Sequence, residues 1–338
     1  MALRLSILIC THNRAALLAR TLDGLAKIEL PKDVGIELVV IENACVDNTV
    51  EILQAASNAF PFAFRWKREP VLGISAARNT AMREAAGEIL AFLDDDVLVE
   101  RGWAVEMLAA YEQAPADMVG GHVDLWWEAV AEPAWFNSGY LWILSGCDFG
   151  NATFEMKDAG GAIGANFSFR REVVDRIGGF RTDLGRVGRK LLSGEETDYV
   201  YRTLAAGFRV FHVPSVRVKH WVPIERATPQ YIARAMAGFT RGHVMMKPNF
   251  GPITAARSIG GNLFLLAQHS IQRSLAAVRK DNSSAVRHRI RMAASVGALQ
   301  GAARRLFNPP ERPDPAGESG RGEVGAPETN TPPGAPAR

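Results

Sequence analysis

The sequence predicts an α/β fold: a mainly parallel central sheet flanked by helices, followed by a C-terminal helical extension. Three observations predict it. Over the first hundred residues, short apolar runs rich in β-branched residues alternate with segments of helical spacing, the rhythm of a parallel sheet covered on both faces. Polar clusters recur directly after those runs, where the carboxyl ends of parallel strands collect ligands. Over Ile253–Phe307 helical spacing dominates and the charges are almost all positive.

The elements follow in order. Leu3–Cys10 is an apolar strand, and Leu17, Leu18, Leu22 and Leu25 carry helical spacing over Ala15–Leu25. Ile36–Ile41 reads as a second strand, rich in β-branched residues. Asp47 is placed to cap a helix running to Ser57. A third strand is expected over Phe62–Trp66, a helix over Ser75–Ala86 stopped by Gly87, and a buried strand over Ile89–Leu93. The middle is less regular. Aromatic residues crowd Trp126 to Trp142, suiting either core packing or a stacking surface. Beyond them a strand over Phe167–Arg170, a helix over Glu172–Ile177, a helix over Glu196–Ala206 and strands over Arg209–Val213 and Val216–His220 are expected. Ile253–Phe307 suits an amphipathic helix or helix pair. Residues 308–338, made of Pro, Gly, Glu and Thr, bury too little to offset ordering entropy and are expected to be disordered.

Composition narrows the function. With 338 residues, 47% hydrophobic and 22% charged, the chain can bury a sizeable core. A formal net charge of +3 gives no reason to expect nucleic acid. Cys10, Cys45 and Cys147 have no paired spacing, so reduced thiols are expected rather than a disulfide or zinc framework. The N-terminus lacks a long apolar region with a cleavage site and reads as a strand. No run approaches the roughly 18 apolar residues of a membrane span, so membrane contact is expected to be peripheral at most.

Asp94–Asp95–Asp96 is the sharpest chemical signal. Three carboxylates directly after an apolar strand are costly unless a cation offsets them, and carboxylate oxygens suit Mg²⁺ or Mn²⁺. The same triplet also suits a solvated turn. Thr11, Asn13 and Arg14 follow the first strand and can hold a base or diphosphate, or merely cap a helix. Glu42 and Asn43 can accept from a base or ribose, or simply form a turn. Arg78 stands in a helix opening (Gly73–Asn79) whose amides could face a phosphate, although Ser75 could cap it with Arg78 solvated. Glu195 and Glu196 precede a helix, where the dipole favours acids, and a carboxylate near a metal site is a natural general base. His220 ends a strand and can be a ligand or an ordinary core residue.

Taken in order, the segments SILICTHNR, LVVIENACVDNT, GISAARNTAMREAAGEILAFLDDD, GANFSFRREVVDRIGGF, LGRVGRKLLSGEETD and VPSVRVKHWV resemble the family 2 glycosyltransferases of GT-A fold, over about Leu5 to Trp221. By pattern the chain looks like bacterial enzymes of cell-surface polysaccharide synthesis. The resemblance implies a catalytic domain over 1–225, with a nucleotide-binding half (1–100) and an acceptor-binding half (101–225), then a basic helical extension over 226–307. It implies that Thr11, Arg14, Glu42 and Asp95 line the nucleotide pocket. Asp96 is the metal ligand it implies, with Asp94 alongside. His220 falls where some members supply another metal or diphosphate contact, and Glu196 falls at the base. Two departures stand out: many members have Asp where this chain has Glu42, and Glu-Asp where it has Glu195–Glu196, which leaves Glu195 or Asp198 as other candidates for the base.

The implied reaction is inverting transfer of a sugar from a nucleotide-diphosphate donor, most often UDP-linked, to an acceptor hydroxyl. Two other classes remain. A catalytically silent nucleotide-sugar-binding protein would not need the acidic cluster together with Glu196. A sugar nucleotidyltransferase would show a Gly- and Lys/Arg-rich phosphate loop near the first strand, which THNRAALL is not. The expected partners are a nucleotide sugar and a glycan or lipid-linked acceptor. A cytoplasmic enzyme is expected, touching the inner face of the membrane through 253–307.

Overall fold

The computed structural model describes residues 3–127, 131–158, 164–188, 190–247 and 250–307; the expected disordered tail lies outside the described residues. The first hundred residues form β1 (Leu3–Thr11), α1 (Ala15–Leu25), β2 (Gly35–Asn43), α2 (Thr49–Ser57), β3 (Ala63–Glu69), α3 (Ile74–Glu84), β4 (Ile89–Asp94) and β5 (Val97–Val99). The pattern up to β4 is met to within a few residues. Asp47, the expected cap, stands one residue before the actual N-cap of α2, Asn48; it accepts from Thr49 N and from Ala15 N, tying the starts of α2 and α1 together.

Pattern alone draws no element between 97 and 125. The structure places β5, α4 (Trp103–Gln113) and β6 (Met118–Trp126) there. Then come a 3-10 turn over Ser138–Leu144, β7 (Phe154–Met156), β8 (Asn166–Arg170), α5 (Arg171–Ile177), α6 (Glu195–Ala205) and β9 (Val210–Trp221). The two expected final strands are one, β9. Its register against β6 slips between Gly121↔Val213 and His122↔Arg217, a bulge at the position of Pro214, which cannot donate to a ladder.

The sheet order is β3-β2-β1-β4-β8-β6-β9-β5, with β7 beside β9. Pairing is parallel from β3 to β4; beyond β4 it is mixed, with β8 antiparallel to both neighbours and β9 parallel to β6. Alternation along β1 explains why most of it is apolar. Leu5, Ile7 and Ile9 pack with α1, α2 and α4, while Leu8 packs on the other face with α3, α5 and α6.

After β9 the chain forms α7 (Pro229–Met246), α8 (Pro252–Val278) and α9 (Asn282–Phe307). Thr228 caps α7 by accepting from Tyr231 N, with Pro229 at the first helical position. α8 and α9 are the expected helix pair. α7 packs with the 3-10 turn and α9 through Phe136, Ile143, Ile232 and Ile290. No helix among the described residues is long and apolar enough to cross a membrane.

Candidate active site

The parallel register sets the site. Cys10 pairs with Asp94 across β1 and β4, so the residues just beyond, Thr11 and Asp95, emerge side by side. Thr11 Oγ1 donates to Asp95 Oδ2 at 2.7 Å, and Arg14 Nη1 to Asp95 Oδ1 at 2.5 Å. The other Arg14 nitrogen donates to Asp96, and Arg226 Nη1 stands 3.6 Å from the same carboxylate. The turn is anchored from behind by the Thr21 hydroxyl, 3.0 Å from the carbonyls of both Asp95 and Val97. Asp95 and Asp96 are buried, so this is no solvated turn. Burial raises the Asp95 carboxyl to about 6 against the pull of Arg14. Burial also raises Asp94, reinforced by Asp96. Asp96 is the exception: burial disfavours its charge, but His220 and Arg14 outweigh that and hold it well below the usual carboxylate range.

His220 reaches the cluster through the antiparallel pairing of β5 with β9, where it sits opposite Val97. Its Nε2 lies 3.2 Å from Asp96 Oδ1 and 3.9 Å from Asp94 Oδ2. Asp94, Asp96 and His220 each offer an atom within 4.8 Å of the others'. Asp96 Oδ1 is buried without a well-aligned hydrogen bond. Two carboxylates and an imidazole around such an oxygen fit Mn²⁺ or Mg²⁺ in chemistry, with the hard oxygens dominant.

The remaining turn residues divide. Thr11, Arg14, Asn43, Arg78, Asp94 and Asp95 line a cavity of about 960 Å³ at the carboxyl ends of the strands. Asn43 also clamps the next loop: its amide donates to Glu69 O and Val71 O and accepts from Gly73 N. Asn13 and Glu42 are not on the cavity wall. Asn13, at φ +52°, accepts from Val46 N, and Glu42 accepts from Cys45 N, so both brace the turn after β2. Asp96 and His220 are also off the wall and meet the cavity through Asp94.

Glu195 and Glu196 open α6 and both line the cavity. Arg78, expected at a phosphate, is buried and donates to both: Nη1 to Glu195 at 3.1 Å and Nη2 to Glu196 at 2.6 Å. Glu195 is buried, and burial together with Glu196 raises it to about 7 despite Arg78. The Glu196 side chain keeps 28% exposure. Asp198 points elsewhere, held by Arg202 at 2.8 Å and Arg181 at 3.3 Å, and is not on the wall. Ser75 caps nothing; its hydroxyl donates to Leu184 O.

The structure adds residues that sequence reasoning missed. Arg186 and Arg226 bring further cations to the cavity, and Phe239, Thr240 and His243 reach it from α7. Arg186 lies inside the quoted LGRVGRK segment, the one signal that could have found it; the α7 residues carry no such signal. From the aromatic stretch, Trp142 lines the cavity, its ring 4.4 Å from that of Phe239, while Phe136 is core. Cys10, Cys45 and Cys147 are in no disulfide. Burial pushes Cys10 and Cys147 up to about 12, which makes neither a ready nucleophile.

A half-parallel sheet with a buried acidic cluster at its carboxyl edge, facing a glutamate-led helix across one cavity, is the architecture of a GT-A glycosyltransferase. The family model for glycosyl transferase family 2 matches residues 6–178, about half of the chain, and the protein belongs to that family. Among curated relatives, succinoglycan biosynthesis protein ExoM of Rhizobium meliloti is 28% identical over 256 residues, 74% of this chain and 77% of that protein. Glucosyl-dolichyl phosphate glucuronosyltransferase of Haloferax volcanii is 33% identical over 150 residues, 44% of this chain and 47% of that protein. Among solved structures, the mannosyltransferase PcManGT of Pyrobaculum calidifontis, in complex with GDP-Man and Mn²⁺, superposes with a TM-score of 0.61 at 20% identity, over 91% of this chain and 88% of that one. That likeness bears on the fold.

Proposed function

We propose that this protein is an inverting, metal-dependent glycosyltransferase that moves a sugar from a nucleotide-diphosphate donor, UDP-linked, to an acceptor hydroxyl in polysaccharide or glycoconjugate synthesis. One observation carries the reading: the acidic cluster and the partly exposed Glu196 open onto the same cavity. Glu196 takes the proton of the attacking hydroxyl; at the start of α6 its side chain keeps 28% exposure where that of Glu195 keeps 7%. Asp198 is engaged by two arginines, which supports Glu196 over it, and Glu195 is the more deeply buried neighbour. Asp94, Asp96 and His220 would hold Mn²⁺ or Mg²⁺, which when bound supplies positive charge against the negative charge growing on the departing diphosphate. Thr11 and Arg14 fix the carboxylates of Asp95 and Asp96, and Asn43 shapes the donor side with Gly73. Glu42 and Asn13 support that side from behind. Arg186 and Arg226 add cationic groups for the diphosphate.

The catalytic unit is assigned to 1–225, with the extension beyond. Residues 253–307 support contact with the inner face of the cell membrane, where a lipid-linked acceptor would lie. α8 carries exposed Ile253, Phe264, Ile271 and Val278 along one side, and Asp281 is the single acid among nine cationic side chains from Arg257 to Arg305.

The test is a panel of nucleotide sugars with Mn²⁺ or Mg²⁺ and with EDTA. Nucleoside diphosphate should be released only with metal. Glu196→Gln should bind donor yet lose roughly 10²–10⁴-fold in turnover. Full turnover by that variant removes the base assignment. Binding of donor by the wild type with no turnover of any sugar returns the protein to the silent binding class.

A further inference from the structure

A base in the first turn of a helix has three side-chain torsions to sample, yet it must meet the attacking hydroxyl within hydrogen-bond reach. Contacts from outside α6 remove that freedom at Glu196. Arg78 donates to both Glu195 and Glu196, and its guanidinium stands over the rings of Phe92, Phe167 and Phe180, 5.9, 5.6 and 5.4 Å from their centroids. The arginine is therefore a fixed post. Gly164 lies against that same Arg78–Glu196 hydrogen bond: a Cβ there would fall 1.8 Å from Glu196 Oε1 and 2.5 Å from Arg78 Nη2.

The backbone that leads into α6 is fixed from the extension. A Cβ on Gly242 would fall 1.8 Å from Ser193 O, and one on Gly238 only 1.4 Å from Leu191 O. Gly194 follows at φ +119°, a backbone shape that suits glycine, and Glu195 begins the helix. α7 is pressed from behind by α9, where a Cβ on Gly297 would fall 2.1 Å from Ala237 O and one on Gly301 2.7 Å from Arg241 O. The fit is selective, because Gly260 and Gly261 of α8 have nothing within 4 Å.

We propose that Arg78, Gly164 and Gly242 are positioning residues that together fix the Glu196 carboxylate, which makes α7 part of the machinery of the reaction. The inference rests on Glu196 being the base. Arg78 and Gly164 set the carboxylate directly; Gly242 sets it through Ser193 and Gly194. On this account Arg78 spends its hydrogen bonds on the base and not on a donor phosphate.

The experiment compares Arg78→Lys, Gly164→Ala and Gly242→Ala, each made in the wild type and in Glu196→Gln, with Gly261→Ala as control. Turnover is read as UDP released from whichever of UDP-glucose or UDP-N-acetylglucosamine the wild type uses faster. Binding is read by calorimetry with UDP and Mn²⁺. Each single variant should lose about 10- to 10²-fold in kcat, the scale of a small misplacement, while Gly261→Ala loses nothing. UDP affinity should stay within about twofold. In the Glu196→Gln background the same substitutions should cost nothing further, since the group they position is already disabled. Equal losses in both backgrounds, or UDP affinity falling in step with kcat, would overturn the proposal. Wild-type turnover by Glu196→Gln alone would instead remove the base reading. Gly164 meets only side-chain ends, so it and Arg78→Lys carry the test even where Gly242→Ala fails to fold.

Discussion

Helices α7 and α8 follow one another in the same basic extension and draw on the same small, apolar and cationic residues, yet the fold uses them in opposite ways. α7 buries Tyr231, Ile232, Ala235, Gly238, Gly242 and Met245, and lays Phe239, Thr240 and His243 on the cavity. α8 is longer, and among its described residues only Ala255 and Ala276 are buried; Phe264 is 68% and Val278 82% exposed. Both helices contain glycines. In α7 they admit another backbone; in α8 they face open space. Composition and helical spacing therefore say that a helix forms, and not what its apolar residues are for.

The largest expected effect separates the helices by stability. Ile232→Ala, in the fully buried seam of α7, should cost about 2–5 kcal/mol in unfolding free energy. Phe264→Ala in α8 should change it by less than about 0.5 kcal/mol despite deleting a larger side chain. Denaturant titration of the two variants checks this; comparable losses would mean that α8 is packed as α7 is.

A second expectation concerns what α8 does with its free face. Full-length protein should float with anionic vesicles at low salt and be released by added salt, since each Lys or Arg near such a surface contributes about 1 kcal/mol. Phe264→Asp and Ile271→Asp should abolish flotation and leave turnover of soluble donor unchanged. These point variants are cleaner than ending the chain near Gly251, because that cut also strips α9 from α7. Flotation that survives both substitutions removes the membrane role. A wild-type dimer that becomes monomeric in the variants assigns the face to a second copy instead.

The smallest effect lies in the acidic turn that α7 holds in place. Burial and Glu196 raise the folded Glu195 carboxyl from an ordinary value of 4.5 to about 7. Between these values the folded chain keeps a proton that the unfolded chain has released. The Glu195 contribution to stability is thus complete below pH 4.5 and is lost as pH rises through 7. Melting temperatures measured in EDTA should decline over that window, and Glu195→Gln should flatten the decline. An unchanged slope would assign it to other groups.

Much of the N-terminal half was legible because its signals are local. β1, β2 and β4 are short, largely apolar runs whose strand period and flanking turns lie within a few residues. Asp94–Asp96 stood out because three like charges end a buried strand. Other readings depended on distant partners. Arg78 looked like a phosphate ligand at a helix start, but it is claimed by carboxylates over a hundred residues away. Asn13 and Glu42 have the chemistry of ligands; each gives one oxygen to a backbone amide of the turn after β2, while Glu42 Oε2 keeps no hydrogen bond. α4 and β6 were missed although Gly102 precedes the helix and Pro115 and Asp117 separate it from the strand.

By itself the sequence determined the alternating α/β plan, the acidic edge of the sheet, a glutamate-led helix and a basic helical end. Each of these follows from periodicity, burial and charge over a short span of chain. Only the tertiary structure decided that His220 meets Asp96, because a strand register between β5 and β9 sets that distance. Only it decided that Asp198 serves arginines while Glu196 faces the cavity, because two residues are about half a turn of α6 and so point to opposite sides. The division between α7 and α8 was likewise decided in three dimensions. A glycine is a point of close contact only where another backbone arrives, and that arrival is a long-range event which no local pattern encodes.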